Sequence, residues 1–458
     1  MDKKATSRRV VVTGLSALSA LGVELDSLSV GTLSCRTGVR SAQAHDIRTL
    51  TSLAPVDAFT GKIQEFGEMP DSKRKAIRKG VKLMAREIQL GVAAAQLALQ
   101  HSGYDFSTPS GRVGVAFASD YIVTTPQELV DAIKACRQKD EQGEYYLDFP
   151  RWRADGLTKM TPIWQLKYLT NMSASHITIY NEFFGPAFDV TNRESSFCTA
   201  LAEATSALRS GRADVMVVGA TGSKLHPVRL ADALKYDQIS PNALGQGERT
   251  DAPAKPYDAM RNGSVPGEGA GAVILETYEH AKARGAKIYA EVVAGAYRAS
   301  YRHERDCGGS NCDLTTSVDS LRESFELTLR AIVTDADLHA SDLAHINGAS
   351  RGETTLDAAE ALALRKVFGS DLDSVALTSL GGHIGNPGAG GGAIATVASI
   401  LALQEGAVFP TFGFSTCDPA LGVQPVTQAR ATTGDYALKL CGNTLGQTSG
   451  VLLKRWNA

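Results

Sequence analysis

The chain has 458 residues, 43% of them apolar and 21% charged, with a net charge of −2. This composition builds a sizeable core and excludes a disordered or fibrous chain. The cancelling charges exclude a globally basic nucleic-acid binder. The seven cysteines have no regular spacing, and Cys307 and Cys312 do not form the Cys-x2-Cys of a zinc site. They read as reduced thiols of a cytoplasmic protein.

Elements alternate along the chain. A buried strand is expected at Arg9–Thr13. Basic residues precede it and Gly14 and Gly22 interrupt the apolar run, so neither a signal peptide nor a membrane span is predicted. The basic run Lys73–Lys82 reads as the solvated start of the helix Lys82–His101. Strands follow at Arg112–Ala116 and Ala213–Gly219, with a helix between them at Ala200–Arg209. Gln138–Gly143 and Asn242–Pro256 read as surface loops. Further strands are predicted at Ala270–Glu276, Ile288–Val293, Leu343–Ile346, Ser374–Leu377, Leu438–Cys441 and Gly450–Lys454. Helices are predicted at Val318–Val333, Leu356–Phe368 and Gly390–Glu405. The alternation specifies α/β layers around a buried sheet.

Two generic motifs carry little. Gly348-Ala-Ser350-Arg-Gly352 has the spacing of a hydrolase nucleophile elbow. The only downstream histidine, His383, leaves too little chain for the rest of a hydrolase triad. Gly388–Gly392 matches no phosphate-binding loop and reads as close helix packing. No His/Asp/Glu cluster has metal-ligand spacing.

A more specific pattern runs through Asn171-Met172, His176-Ile177, Gly185-Pro186, Glu203 and Gly211–Gly219. It continues in Tyr257–Gly263 followed by Gly267-Glu-Gly-Ala-Gly271, and in Gly382-His383 with the Gly/Ala run behind it. On these residues the chain resembles the β-ketoacyl-acyl-carrier-protein synthases, the condensing enzymes of fatty-acid and type II polyketide synthesis. The resemblance implies an α/β, thiolase-like fold: a five-layered α-β-α-β-α sandwich of two duplicated halves, here divided as 1–280 and 281–458. It also implies a dimer that handles thioesters presented by an acyl carrier protein, with no cofactor, no nucleic acid and no membrane span.

The resemblance breaks at the catalytic positions. Ungapped counting from Gly185-Pro186, and back from Glu203 and Asp214, places Glu194 where the family has its nucleophilic cysteine. Cys198 lies four residues later and reads as a core cysteine. Counting from Asp342 and Asp357 places Ala349 at the first histidine, and His345 is a poor substitute inside a strand. His383 stands as the second histidine, but the lysine five residues before it has become Thr378.

Condensation needs a thioester-forming nucleophile and two imidazoles that promote malonyl decarboxylation and stabilise the enolate. A carboxylate would form an unstable anhydride. Glu194 at a helix N-terminus is expected to be ionised and to repel an incoming malonyl group. The favoured reading is a non-condensing subunit resembling a chain-length factor, paired with a cysteine-containing ketosynthase. Alternatives are a malonyl-carrier decarboxylase, another acyltransferase, a self-sufficient synthase acting as a homodimer, and a protein with no acyl-chain role. The carrier protein of such systems is acidic, and Lys73, Arg74, Lys75, Arg78 and Lys79 are expected to contribute to docking it.

Overall fold

The computed structural model describes residues 8–41, 50–106, 108–246, 252–300 and 316–457. Cys307 and Cys312 lie outside the described residues, as do positions 247–251 of the predicted loop at Asn242–Pro256. The main sheet has ten strands. They are β1 (Val10–Leu18), β2 (Val113–Ser119), β3 (Ala187–Val190), β4 (Val215–Ser223), β5 (Glu268–Thr277), β6 (Ala290–Ala299), β7 (Leu343–Asn347), β8 (Leu377–Thr378), β9 (Tyr436–Gly442) and β10 (Gln447–Arg455). Their order is β3-β2-β4-β5-β1 followed by β6-β10-β9-β7-β8.

The two halves carry the same wiring. In each, the second strand pairs in parallel with the third and fourth, and the fifth pairs antiparallel with the fourth and first. This duplication is invisible in the sequence and plain in the topology. The halves meet at a short antiparallel ladder, Val10–Val12 against Ala290–Val292.

Six helices complete the layers: α1 (Arg86–His101), α2 (Met172–Asn181), α3 (Ser196–Arg209), α4 (Val318–Ala336), α5 (Thr354–Phe368) and α6 (Ala389–Glu405). α3 and α6 occupy equivalent places, each leading from the third strand of its half to the fourth, and each touches strands of both halves. They form the middle layer. α1 and α2 cover the outer face of the first half, and α4 and α5 that of the second. The α-β-α-β-α sandwich implied by the resemblance is therefore present. α6 explains the weak periodicity of its sequence: a helix covered on nearly every side is apolar nearly all round.

Several boundaries differ from the sequence reading. The basic run forms its own helix, Asp71–Gly80, and a 3-10 turn at Val81–Leu83 separates it from α1. α3 starts at Ser196, four residues before the predicted start, because the turn before it is built from polar residues. Of the predicted strand Ser374–Leu377, Ser374 ends a 3-10 turn, Gly369–Ser374, and only Leu377 falls in the observed two-residue strand β8. The predicted loop Gln138–Gly143 begins in a strand, Arg137–Lys139, paired with Tyr145–Leu147. α2 and β3 were not predicted. Among the described residues, no helix is long and apolar enough to cross a membrane and no His/Cys/Asp/Glu group could hold a metal ion.

The Gly-rich start of α6 is a packing device. A Cβ at Gly390 would sit 2.1 Å from the Gly269 carbonyl oxygen, and one at Gly271 would sit 3.0 Å from the Ala393 Cβ. Gly390→Ala is expected to cost about 2 kcal/mol through forced separation of α6 from β5. Gly111→Ala, where nothing lies within 4 Å, should stay within about 0.5 kcal/mol of wild type. Urea denaturation of both variants checks this; equal midpoints would overturn the packing argument.

Candidate active site

The site grows from the turn that opens α3. Arg193 has φ 53°, a left-handed conformation costly for a side chain with a Cβ. The Ser196 hydroxyl spans the turn, accepting from the Asn192 amide at 2.7 Å and donating to the Arg193 carbonyl at 2.6 Å. The Arg193 guanidinium is held by Asp237 at 2.7 Å and Asp232 at 3.2 Å. This anchoring aims Glu194 into the interior, where it is 6% exposed.

Glu194 meets cations and an amide there. Its Oε1 accepts from Lys224 Nζ at 2.5 Å and from Asn386 Nδ2 at 3.1 Å. Arg351 Nη2 lies 3.9 Å from Oε1 and Arg193 Nε 3.8 Å from Oε2. Burial alone would raise the carboxyl's pKa. Lys224, Arg351 and Arg193 outweigh burial and hold it well below the usual range. Lys224 is shared with Asp237. Arg351 grips Glu353 through two nitrogens, at 2.7 and 3.0 Å. The network continues outward through Asp232, Arg229 and Asp120; burial pushes Asp120 and Glu353 up.

Glu194 is thus ionised, as expected, but its charge is matched by neighbours. The predicted repulsion of a malonyl carboxylate does not stand on a bare anion. The helix dipole is a minor contributor beside the direct ion pair.

Glu194, Ala349, Arg351, Asn386, Lys439 and Cys441 line parts of one cavity of about 50 Å³. That is room for a few water molecules, not for an acyl chain. Ala349 reaches the cavity on the turn after β7. There Glu360 accepts from the Ala349 and Ser350 amides at 2.6 and 3.0 Å, and from the Tyr257 hydroxyl at 2.7 Å. Asp357 accepts from the Arg351 and Gly352 amides at 3.2 and 3.1 Å. The Asp-x-x-Glu pair therefore holds this turn, and burial raises the Glu360 pKa to about 7.

The histidines and the lysine position lie elsewhere. His383 is outside the cavity lining. Its Nδ1 faces the Arg36 carbonyl at 2.6 Å and its Nε2 the Pro410 carbonyl at 2.8 Å. Burial pushes its pKa down and the two carbonyls oppose that. The residue its segment presents to Glu194 is Asn386, three positions later. His345 is buried in β7 with both ring nitrogens unpartnered, and burial lowers its pKa to about 3. The Thr378 hydroxyl donates to the Phe409 carbonyl at 2.8 Å. Cys198 is fully buried, and burial raises its pKa well above the ordinary value. Such a thiol, held protonated and outside the cavity lining, is not placed to take up an acyl chain.

Sequence reasoning missed Lys224, Asp237, Arg351 and Asn386. Asn386 carried one signal: a Gly-Asn-Pro-Gly turn interrupting the small-residue run. Of the basic run, Lys73 donates to Asn181 at 2.8 Å and Arg74 pairs with Glu68 at 3.2 Å. Lys75, Arg78 and Lys79 are exposed.

The chain matches the family described as Beta-ketoacyl synthase, N-terminal domain, over residues 7–281, and Beta-ketoacyl synthase, C-terminal domain, over residues 308–415. It is 26% identical over 464 residues to the 3-oxoacyl-[acyl-carrier-protein] synthase 2 of Vibrio cholerae, covering 98% of this chain and 99% of that protein. Among solved structures, a type II PKS acyl-carrier protein in complex with its ketosynthase bound to the hexaketide aligns with TM-score 0.76 at 21% identity, over 99% of this chain and 100% of that one. The ishigamide ketosynthase/chain length factor aligns with TM-score 0.75 at 20% identity over the same shares.

The Lys224–Glu194 pair makes a stability prediction. Lys224→Met leaves Glu194 and Asp237 buried without their shared cation and should cost about 3–5 kcal/mol. Glu194→Gln keeps both hydrogen-bond acceptance and the Lys224–Asp237 pair and should cost less. The Glu194 pKa is lower folded than unfolded, so its contribution is present above the unfolded value of about 4.3 and is lost as pH falls through the folded value. The stability gap between wild type and Glu194→Gln should therefore shrink below about pH 4.3. Denaturation midpoints across pH measure it; a pH-independent gap would rule out the ion pair as its source.

Proposed function

The chain belongs to the β-ketoacyl synthase family, and from that premise we propose that it is a non-condensing subunit of a fatty-acid or polyketide synthase. The observation that carries this reading is the Lys224–Glu194 ion pair at the nucleophile position, beside a cavity of about 50 Å³ that no imidazole lines among the described residues. A carboxylate held to an ammonium is a weak nucleophile, and the anhydride that acyl transfer to it would form hydrolyses too readily to hold a chain. Without an imidazole the cavity lacks the group that would promote malonyl decarboxylation, which also argues against the decarboxylase reading.

In this role the protein contributes shape rather than chemistry. Its partner is a ketosynthase with an intact cysteine, and the acyl chain is carried as a thioester on an acyl carrier protein, with no bound cofactor. Two solved structures of this fold support the direction. One holds an acyl-carrier protein with its ketosynthase, and the other is a ketosynthase/chain length factor. Carrier docking falls to Lys75, Arg78 and Lys79, the members of the basic run that remain exposed. Lys73 and Arg74 serve the protein's own structure.

The purified chain, given acyl- and malonyl-loaded carrier protein, should form no β-ketoacyl product by mass spectrometry. Glu194→Cys should form none either, because a thiol alone lacks its imidazoles. Product from either protein would overturn the reading. Charge reversal at Lys75, Arg78 and Lys79 should weaken carrier binding about tenfold or more at low salt, with the difference fading as salt rises. Unchanged affinity would remove this surface from the docking site.

A further inference from the structure

A second reactive pair in the interior plays no part in the proposed role. Cys198 on α3 and Cys441 on β9 bring their sulfurs to 3.5 Å, and both side chains are buried. The cysteines come from opposite halves of the fold, so their contact crosses from the middle layer to the strands of the second half. They are not isolated from small molecules. Cys441 lines the cavity beside Glu194, which has room for a water-sized molecule. The Cys198 thiol hydrogen-bonds Cys441 and pulls its pKa down against burial, and the Lys439 ammonium adds to the effect. Lys439 lies two residues away on the same strand and lines the same cavity.

We propose that Cys198 and Cys441 are a peroxide-reactive thiol pair that closes to a disulfide joining the two halves beside the Glu194 cavity. Cys441 is the attacking sulfur, because it lines the cavity and Cys198 does not. Its thiolate attacks one oxygen of hydrogen peroxide, the O–O bond breaks, and hydroxide leaves and takes up a proton as water. Cys441 is then a sulfenic acid. The Cys198 sulfur attacks the Cys441 sulfur, the S–O bond breaks, and a second water leaves carrying the Cys198 proton. Two thiols are oxidised by two electrons and one peroxide is reduced to two waters. Closing the sulfurs from 3.5 Å to a bond of about 2.05 Å asks for about 1.5 Å of motion shared between two side chains. Cys417, which is exposed, has no such neighbour among the described residues and serves as an internal reference. This inference does not depend on the non-condensing role.

The test uses the full-length protein, reduced, freed of reductant and exposed to graded hydrogen peroxide. It is then alkylated and digested without reductant for mass spectrometry. The expected product is a cross-linked peptide pair containing Cys198 and Cys441, lighter than the two reduced peptides by two hydrogens and abolished by dithiothreitol. It should form at peroxide doses that leave most of Cys417 reduced. In Cys198→Ser the resolving thiol is gone, and Cys441 should instead be trapped as a dimedone adduct when the peroxide-treated protein is unfolded in the presence of dimedone. If Cys417 is fully oxidised while Cys198 and Cys441 remain free thiols, the proposal is overturned. Recovery of Cys441 bonded to a different cysteine overturns it equally. Should Cys198→Ser fail to fold, the wild-type cross-link decides alone.

Discussion

An ionised carboxylate in a protein interior is tolerable only when cations and hydrogen-bond donors surround it, and the centre of this molecule is arranged around that demand. Glu194 needs Lys224, and Lys224 also meets Asp237. Asp237 and Asp232 need Arg193, which accepts a left-handed backbone to reach them. Arg351 enters from the second half and brings Glu353 with it. The chain of compensation runs from the first strand layer across the middle layer to the second. Removing any one member strands at least one other, so the group behaves as a unit.

The duplicated wiring makes this arrangement possible. Each half contributes one interior helix between its third and fourth strands, so the starts of α3 and α6 converge on one region. The turn before α3 supplies Glu194, and the loop before α6 supplies Asn386. Glycines at 269, 271 and 390 let helix and sheet approach closely enough for these ends to meet. Besides the short ladder at Val10–Val12, the halves are joined by the buried helices and by the Tyr257–Glu360 hydrogen bond across them.

Much of this was legible in the sequence. Nine of the ten strands of the main sheet were placed to within a few residues or in part, because buried β-branched runs are strong signals. The turn position of Glu194 followed from counting between fixed motifs on both sides. What failed was partner choice. Lys224 and Asp237 are ordinary charged residues in sequence, and only the fold brings them to a carboxylate 30 and 43 positions away. His383 misled for a related reason. A histidine in a familiar segment was read as a site residue, whereas its ring nitrogens meet two backbone carbonyls and Asn386 reaches Glu194 instead. The charges of the basic run divide between solvent and pairs within the chain, which composition cannot assign.

The ion network also bears on how such a site changes over generations. A thiol at position 194 would leave Lys224, Arg193 and Arg351 crowded around a neutral side chain. With the acid and its cations both in place, replacing Glu194 by cysteine removes one negative charge and leaves the positive ones buried. Each partner residue is thus a barrier to changing that position alone. Epistasis ties the acid to its cations, and position 194 can change freely only when its partners change with it.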